Sequence, residues 1–168
     1  KLHDPMEGYY SHYKTEHSKD LTENIKIEKN QWKICSFSEK YDNILLWSFY
    51  ANGFNGVCIE VEVGDSEDLE KITYNKNIPW LSDNLFIDYQ LTGRKIFTNK
   101  ISKWKFEKEY RYFSRVSLKK IGEITAVILG TKVSEAIKKI VYDYCDDNIK
   151  IYDAKINFKY NKVNRIKH

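Results

Sequence analysis

Trp104-Lys105-Phe106-Glu107-Lys108-Glu109-Tyr110-Arg111-Tyr112-Phe113 decides how the rest of the chain is read. Aromatic residues dominate it, so it reads as a strand. Strand side chains alternate between faces. Phe106, Tyr110 and Tyr112 then share one face with the stem of Lys108, and Glu107, Glu109 and Arg111 line the other. Two carboxylates and a guanidinium in a row on an aromatic-rich strand leave two readings. Either that face is wet, or it lines a polar site.

The chain has 168 residues, 42% hydrophobic and 31% charged, which suits one globular domain with one sizeable core. Aromatics make up 15%, including 13 Tyr, while Gly and Pro are scarce, which argues against disorder. A net charge of +4 permits an anionic ligand without demanding nucleic acid. Cys35, Cys58 and Cys145 are widely spaced with no Cys/His cluster, so no metal site is expected. They read as buried, reduced thiols of a cytoplasmic protein. No apolar run reaches the length of a membrane span, and no signal peptide is visible. The chain opens without an initiator Met, and an N-terminal segment is expected ahead of Lys1.

Asp4-Pro5 and Gly8 mark a turn, and residues 9–31 read as a polar loop with at most a short helix. Residues 31–38 form a strand that points Trp32, Ile34, Ser36 and Ser38 one way. Asp42 or Asn43 caps a very apolar helix over 44–51, ended by Asn52-Gly53 and expected to be buried by packing on several sides. Residues 56–63 alternate, with Val57, Ile59, Val61 and Val63 facing the core and Glu60 and Glu62 facing out. A strand is expected over 70–75, a helix over 81–91 and a loop over 98–103. Residues 121–130 carry the continuous apolar run of a central strand. Val133, Ile137, Ile140, Val141 and Tyr144 predict a helix over 133–146, started by Ser134 or Thr131. A short strand over 150–154 and a basic tail able to add one more complete the pattern. The class is α+β: a single domain with a mixed, mainly antiparallel sheet and about three helices.

P-loop, dinucleotide-binding, zinc-protease and nucleophile-elbow motifs are missing. His3, His12, His17 and His168 lie near the ends, which disfavours a histidine-based triad. Glu107 and Glu109 are the stronger candidates. Close, buried carboxylates raise each other's proton affinity, and one could polarise a sugar hydroxyl or stabilise a cationic transition state. Arg111 could pair with either or hold a phosphate. Ser36 and Ser38 could bind a ligand or cap the following helix. Trp47 and Tyr50 read as core, or as rings lining a stacking pocket. Lys103-Trp104-Lys105-Phe106 could stack on and neutralise single-stranded nucleic acid, with the neighbouring acids counting against it.

Several separated motifs together resemble a family. They are His3-Asp4-Pro5-Met6-Glu7-Gly8, Cys35-Ser36-Phe37-Ser38-Glu39, the run 43–51, Gly56-Val57-Cys58-Ile59-Glu60, and 104–111. Their order is similar to that of the bacterial domain of unknown function 2971, of the AbiGi abortive-infection type. The family carries His where this chain has Phe49 and Phe54, and Asn where it has His3. The resemblance implies a role in phage defence or stress. Ser36-Phe37-Ser38 and Glu107-Lys108-Glu109 also resemble motifs of arginine-type ADP-ribosyltransferases. That likeness implies NAD as cofactor, serines shaping the nicotinamide pocket, Glu109 on the ribose hydroxyl and Glu107 activating the acceptor. The early arginine of that scheme would lie upstream of Lys1. A nucleotide-handling enzyme of this kind is the leading functional expectation. A non-catalytic module binding protein or nucleic acid is the alternative.

Overall fold

A computed structural model of the chain describes residues 8–12, 18–81 and 89–167. The turn at Asp4-Pro5, all but Gly8 of the stretch 3–8 quoted for the resemblance, and His17 and His168 lie outside them. The chain divides into two compact units. Unit 1 is Lys1–Glu39 with Ser66–Lys119, and unit 2 is Lys40–Asp65 with Lys120–His168. Each is assembled from two separated stretches, so no linker in the sequence marks either. The architecture is α+β, with the longest ladders antiparallel. Among the described residues, no helix is long and apolar enough to cross a membrane.

In unit 1, β1 (Ser11–His12) pairs in parallel with β6 (Trp80–Leu81). Helix α1 (Ser18–Gln31) occupies much of the stretch read as a loop. Its inward stripe holds Ile25, fully buried, but also buried Glu28 and half-buried Lys29, so charge masks the helical period. It packs on α3 (Tyr89–Phe97), and Ile25, Leu81 and Ile96 form a small core. A Cβ at Gly93 would meet Glu28 Cγ at 3.2 Å, so the helices come close at that glycine. Of the helix expected over 81–91, Leu81 lies in β6, 82–88 fall outside the described residues, and the described helix, Tyr89–Phe97, runs on past 91.

Strands β2 (Lys33–Ser38), β8 (Glu109–Ser114) and β4 (Leu69–Lys71) form an antiparallel sheet with β8 in the middle. The single strand expected over 70–75 is two. Buried Ile72 separates β4 from β5 (Thr73–Asn75), which pairs in parallel with β7 (Asn99–Ile101), where a loop was expected. Cys35 lies exposed on the edge strand β2, not buried.

In unit 2, Asn43 caps α2 (Ile44–Tyr50), its side chain accepting from Leu45 N. The sheet runs β11 (Lys162–Lys167), β10 (Lys150–Asn157), β9 (Glu123–Leu129), β3 (Val57–Glu62). Strands β9 and β10 are parallel and joined through α4 (Glu135–Tyr144), whose cap is Ser134; the other pairs are antiparallel. Alternation splits the apolar run of β9. Ile128 packs with Trp47, Phe54, Ala154 and Val163, while Val127 and Leu129 pack with Val133 and Val141. Both faces of β9 are covered, as its continuous apolar run requires.

Two expectations in unit 2 fail for identifiable reasons. Ile59 on the edge strand β3 is exposed, while Val57 and Cys58 each pack against a buried cluster, so the strand covers parts of both faces rather than one. Only Trp47 of α2 is buried, since seven residues laid on one sheet face have one side to hide. The basic tail does form a strand, β11, and β10 runs on to Asn157 to pair with it.

Candidate functional site

The expected strand over 104–113 begins only at Glu109. Ser102–Glu107 is a 3-10 helix, and Lys108 follows it in the left-handed conformation (φ 46°, ψ 49°). That conformation costs a non-glycine residue about 1–2 kcal/mol. Two hydrogen bonds from the end of β2 hold the turn. Glu39 N donates to Lys108 O (3.0 Å), and Ser38 Oγ donates to Glu107 O (2.8 Å). Glu107 and Glu109 therefore come together through a turn between two elements, not through strand alternation.

The face carrying them is the buried one. Glu107 is 3% exposed, Glu109 5%, Lys100 6% and Arg111 0%. From β7, Lys100 Nζ lies 2.6 Å from Glu107 Oε2 and 2.7 Å from Glu109 Oε2. Arg111 Nε donates to Glu109 Oε1 at 2.6 Å, and its Nη1 donates to Phe97 O at 2.6 Å. Tyr74 Oη accepts from Glu109 N at 2.9 Å. Two acids and two bases cancel, which is how an interior tolerates charge.

This arrangement reverses the proton-affinity argument drawn from the paired carboxylates. Burial pushes Glu109 up, but the hydrogen bond and charge of Arg111, with those of Lys100, outweigh it and hold its pKa below the ordinary 4.5. Burial also opposes the charge on Lys100, yet Glu107 and Glu109 outweigh it and leave the ammonium above its ordinary 10.5. Tyr74 is raised, chiefly by burial. Glu109 is thus ionised near neutrality, and neither a wet face nor an open acid–base pair describes the row. Lys100 was not singled out from sequence. An isolated lysine in a presumed loop carries no signal, and only the β5–β7 pairing brings it to Glu107 and Glu109.

Ser36 and Ser38 stand in register with Arg111 and Glu109 on the neighbouring strand. Both serines are exposed because β2 is the sheet edge. The structure brings Ser-x-Ser and Glu-x-Glu side by side, with the hydroxyls at the margin and the carboxylates inside. The alternative role expected of the serines, capping α2, falls to Asn43, whose Oδ1 accepts from Leu45 N at 2.9 Å. Trp47 and Tyr50 belong to unit 2. Trp47 is core, stacked on Phe54 (centroids 5.5 Å, 5°) with Nε1 donating to Tyr41 O at 2.7 Å, and Tyr50 is half exposed.

The 3-10 helix has an outer side as well. Lys103, Lys105 and Lys108 are exposed, and none pairs with an acid among the described residues. Trp104 and Phe106, which alternate with them in sequence, are half-buried, ring centroids 5.8 Å apart and tilted by 38°, and the Trp104 centroid lies 5.7 Å from Lys100 Nζ of the buried cluster. The acids that counted against a nucleic-acid reading are turned inward and neutralised. Two cavities in unit 1, of about 300 and 370 Å³, are lined by other residues. No group of three or more His, Cys, Asp or Glu side chains suited to a metal ion occurs among the described residues. The chain matches no family model, no curated protein and no solved structure.

Proposed function

We propose that the protein binds single-stranded nucleic acid through the outer side of Ser102–Lys108, as a non-catalytic module. A cytoplasmic setting in bacterial phage defence or stress fits the family resemblance. One observation carries the reading: burial removes Glu107 from this surface and leaves exposed Lys103, Lys105 and Lys108 in the same short stretch as half-buried Trp104 and Phe106. Lysines neutralise phosphates and release counterions, while rings supply stacking that tolerates any base. Fluorescence anisotropy of a labelled oligonucleotide with the full chain tests it. Three phosphate contacts predict a log–log salt slope of about −2, hence about 15-fold weaker binding at 200 than at 50 mM salt. A variant with Lys103→Gln, Lys105→Gln and Lys108→Asn should bind weakly with a nearly flat slope. Asn is chosen at 108 because it tolerates the left-handed conformation. No binding by the parent chain, or an unchanged slope in the variant, refutes the reading.

A second reading, an ADP-ribosyltransferase-like enzyme using NAD, draws support from the register that sets Ser38 opposite Glu109. In it the ribose–nicotinamide bond breaks, nicotinamide leaves with the bonding electrons, and the acceptor bonds to the ribose carbon as Glu107 takes its proton. Glu109 would first have to exchange Lys100 and Arg111 for the ribose. Labelled NAD incubated with cell extract and protein should then give transfer that Glu109→Gln abolishes. Absence of both transfer and hydrolysis removes this reading.

A further inference from the structure

The cavity of about 300 Å³ in unit 1 is separate from the ion cluster and from the lysine-bearing surface. It opens where β5 ends, beside β7 and the last turn of α3. Its floor includes Ile96, 1% exposed, and its walls carry three amides, Asn75, Asn77 and Asn99. Trp80, 53% exposed, supplies an aromatic face, and exposed Lys95 supplies a positive charge. No Asp or Glu is among the described residues lining it.

The amides are oriented by one another. Asn99 Nδ2 donates to Lys95 O at 2.6 Å, which turns Asn99 Oδ1 toward Asn75. Asn75 Nδ2 donates to that oxygen at 2.7 Å. This use of one N–H fixes which end of the Asn75 amide is which. Its Oδ1 acceptor and second N–H remain as an adjacent acceptor–donor pair. Such a pair matches the N6 donor and N7 acceptor on one edge of adenine. An indole beside it offers a stacking face, and an ammonium at the rim favours a phosphate. Ligand pockets span roughly 300–1,000 Å³, so this one stands at the small end, with room for one nucleotide rather than two.

We propose that this cavity is a binding site for an adenine mononucleotide, with Asn75 reading the base edge, Trp80 stacking on the ring and Lys95 holding the phosphate. The site does not depend on Lys103, Lys105 or Lys108, so it stands or falls apart from the strand-binding surface. The test is titration of the full chain with AMP, adenosine and UMP, followed by calorimetry. AMP should saturate the protein, with adenosine and UMP each at least tenfold weaker. Trp80→Leu should weaken AMP at least tenfold, and Lys95→Gln should bring AMP down to the affinity of adenosine. Thermal unfolding of each variant checks its fold, and Lys95→Gln, at an exposed position, decides the matter if Trp80→Leu does not fold. Oligonucleotide anisotropy should be unchanged in Lys95→Gln. No saturable binding of AMP, equal affinity for AMP and UMP, or AMP binding unaltered by Lys95→Gln overturns the proposal.

Discussion

Replacing Lys100 with Met removes the one ammonium that both Glu107 and Glu109 share. The two carboxylates, 3% and 5% exposed, keep their burial and lose a partner at 2.6 and 2.7 Å. Arg111 still meets Glu109. Stranding one member of a buried ion pair costs about 3–5 kcal/mol. Against a total stability of roughly 5–15 kcal/mol, that is a large fraction. For a unit of this size it corresponds to a drop in Tm on the order of 20 °C. Urea unfolding at pH 7, read by tryptophan fluorescence, is the assay, because Trp32, Trp80 and Trp104 all lie in unit 1. Pairing the change with Glu107→Gln should recover a good part of the loss, since an amide is cheaper to bury than a carboxylate. A Lys100→Met cost under about 1 kcal/mol, the range of exposed ion pairs, would refute the buried-cluster account.

Two other outcomes follow from the same structure. Glu109 has a depressed pKa, so its contribution is complete above the ordinary 4.5 and is lost as pH falls through the lower folded value. Lys100 has a raised one, so its contribution is complete below 10.5 and is lost as pH climbs through the higher folded value. Urea midpoints measured against pH should therefore fall on both sides of a plateau, and Glu109→Gln should remove much of the acid-side slope; an unaltered acid limb would contradict the assignment. In unit 2, a Cβ at Gly130 would meet Phe54 O at 2.3 Å and Gly56 O at 2.6 Å, both backbone atoms. Gly130→Ala should cost about 1–3 kcal/mol through forced backbone movement, and thermal unfolding within experimental error of the parent would show that the loop at 54–56 yields freely.

Helix and strand periods were legible wherever one face met one core. The run 121–130 announced a central strand, and residues 133–146 announced α4 with Ser134 or Thr131 near its start, of which Ser134 is the cap. The period failed where partners replaced greasy surface. In α1, Glu28 is buried by pairing with Arg115, a residue 87 positions away, so no local pattern could show that it faces inward. The short strands β5 and β7 have three residues each, too few to alternate visibly, yet their pairing positions Lys100.

The candidate site divides in the same way. Glu107, Glu109, Arg111, Ser36 and Ser38 stood out by residue type and spacing, and the sheet sets Ser36 and Ser38 opposite Arg111 and Glu109. What those groups are chemically was not in the spacing. A carboxylate's proton affinity depends on its solvent exposure and on charges within a few ångströms. For Glu109 those charges are Lys100 and Arg111, one supplied by a separate strand and the other by its own strand with its side chain turned inward. By itself the sequence determined the α+β class, two candidates for each of two helix caps, the central strand and the identity of the acidic pair, because these follow from local period and side-chain chemistry. Only the tertiary structure decided that the pair faces inward and is neutralised, and that Lys103, Lys105 and Lys108 face out. Burial and long-range charge are properties of the packed chain.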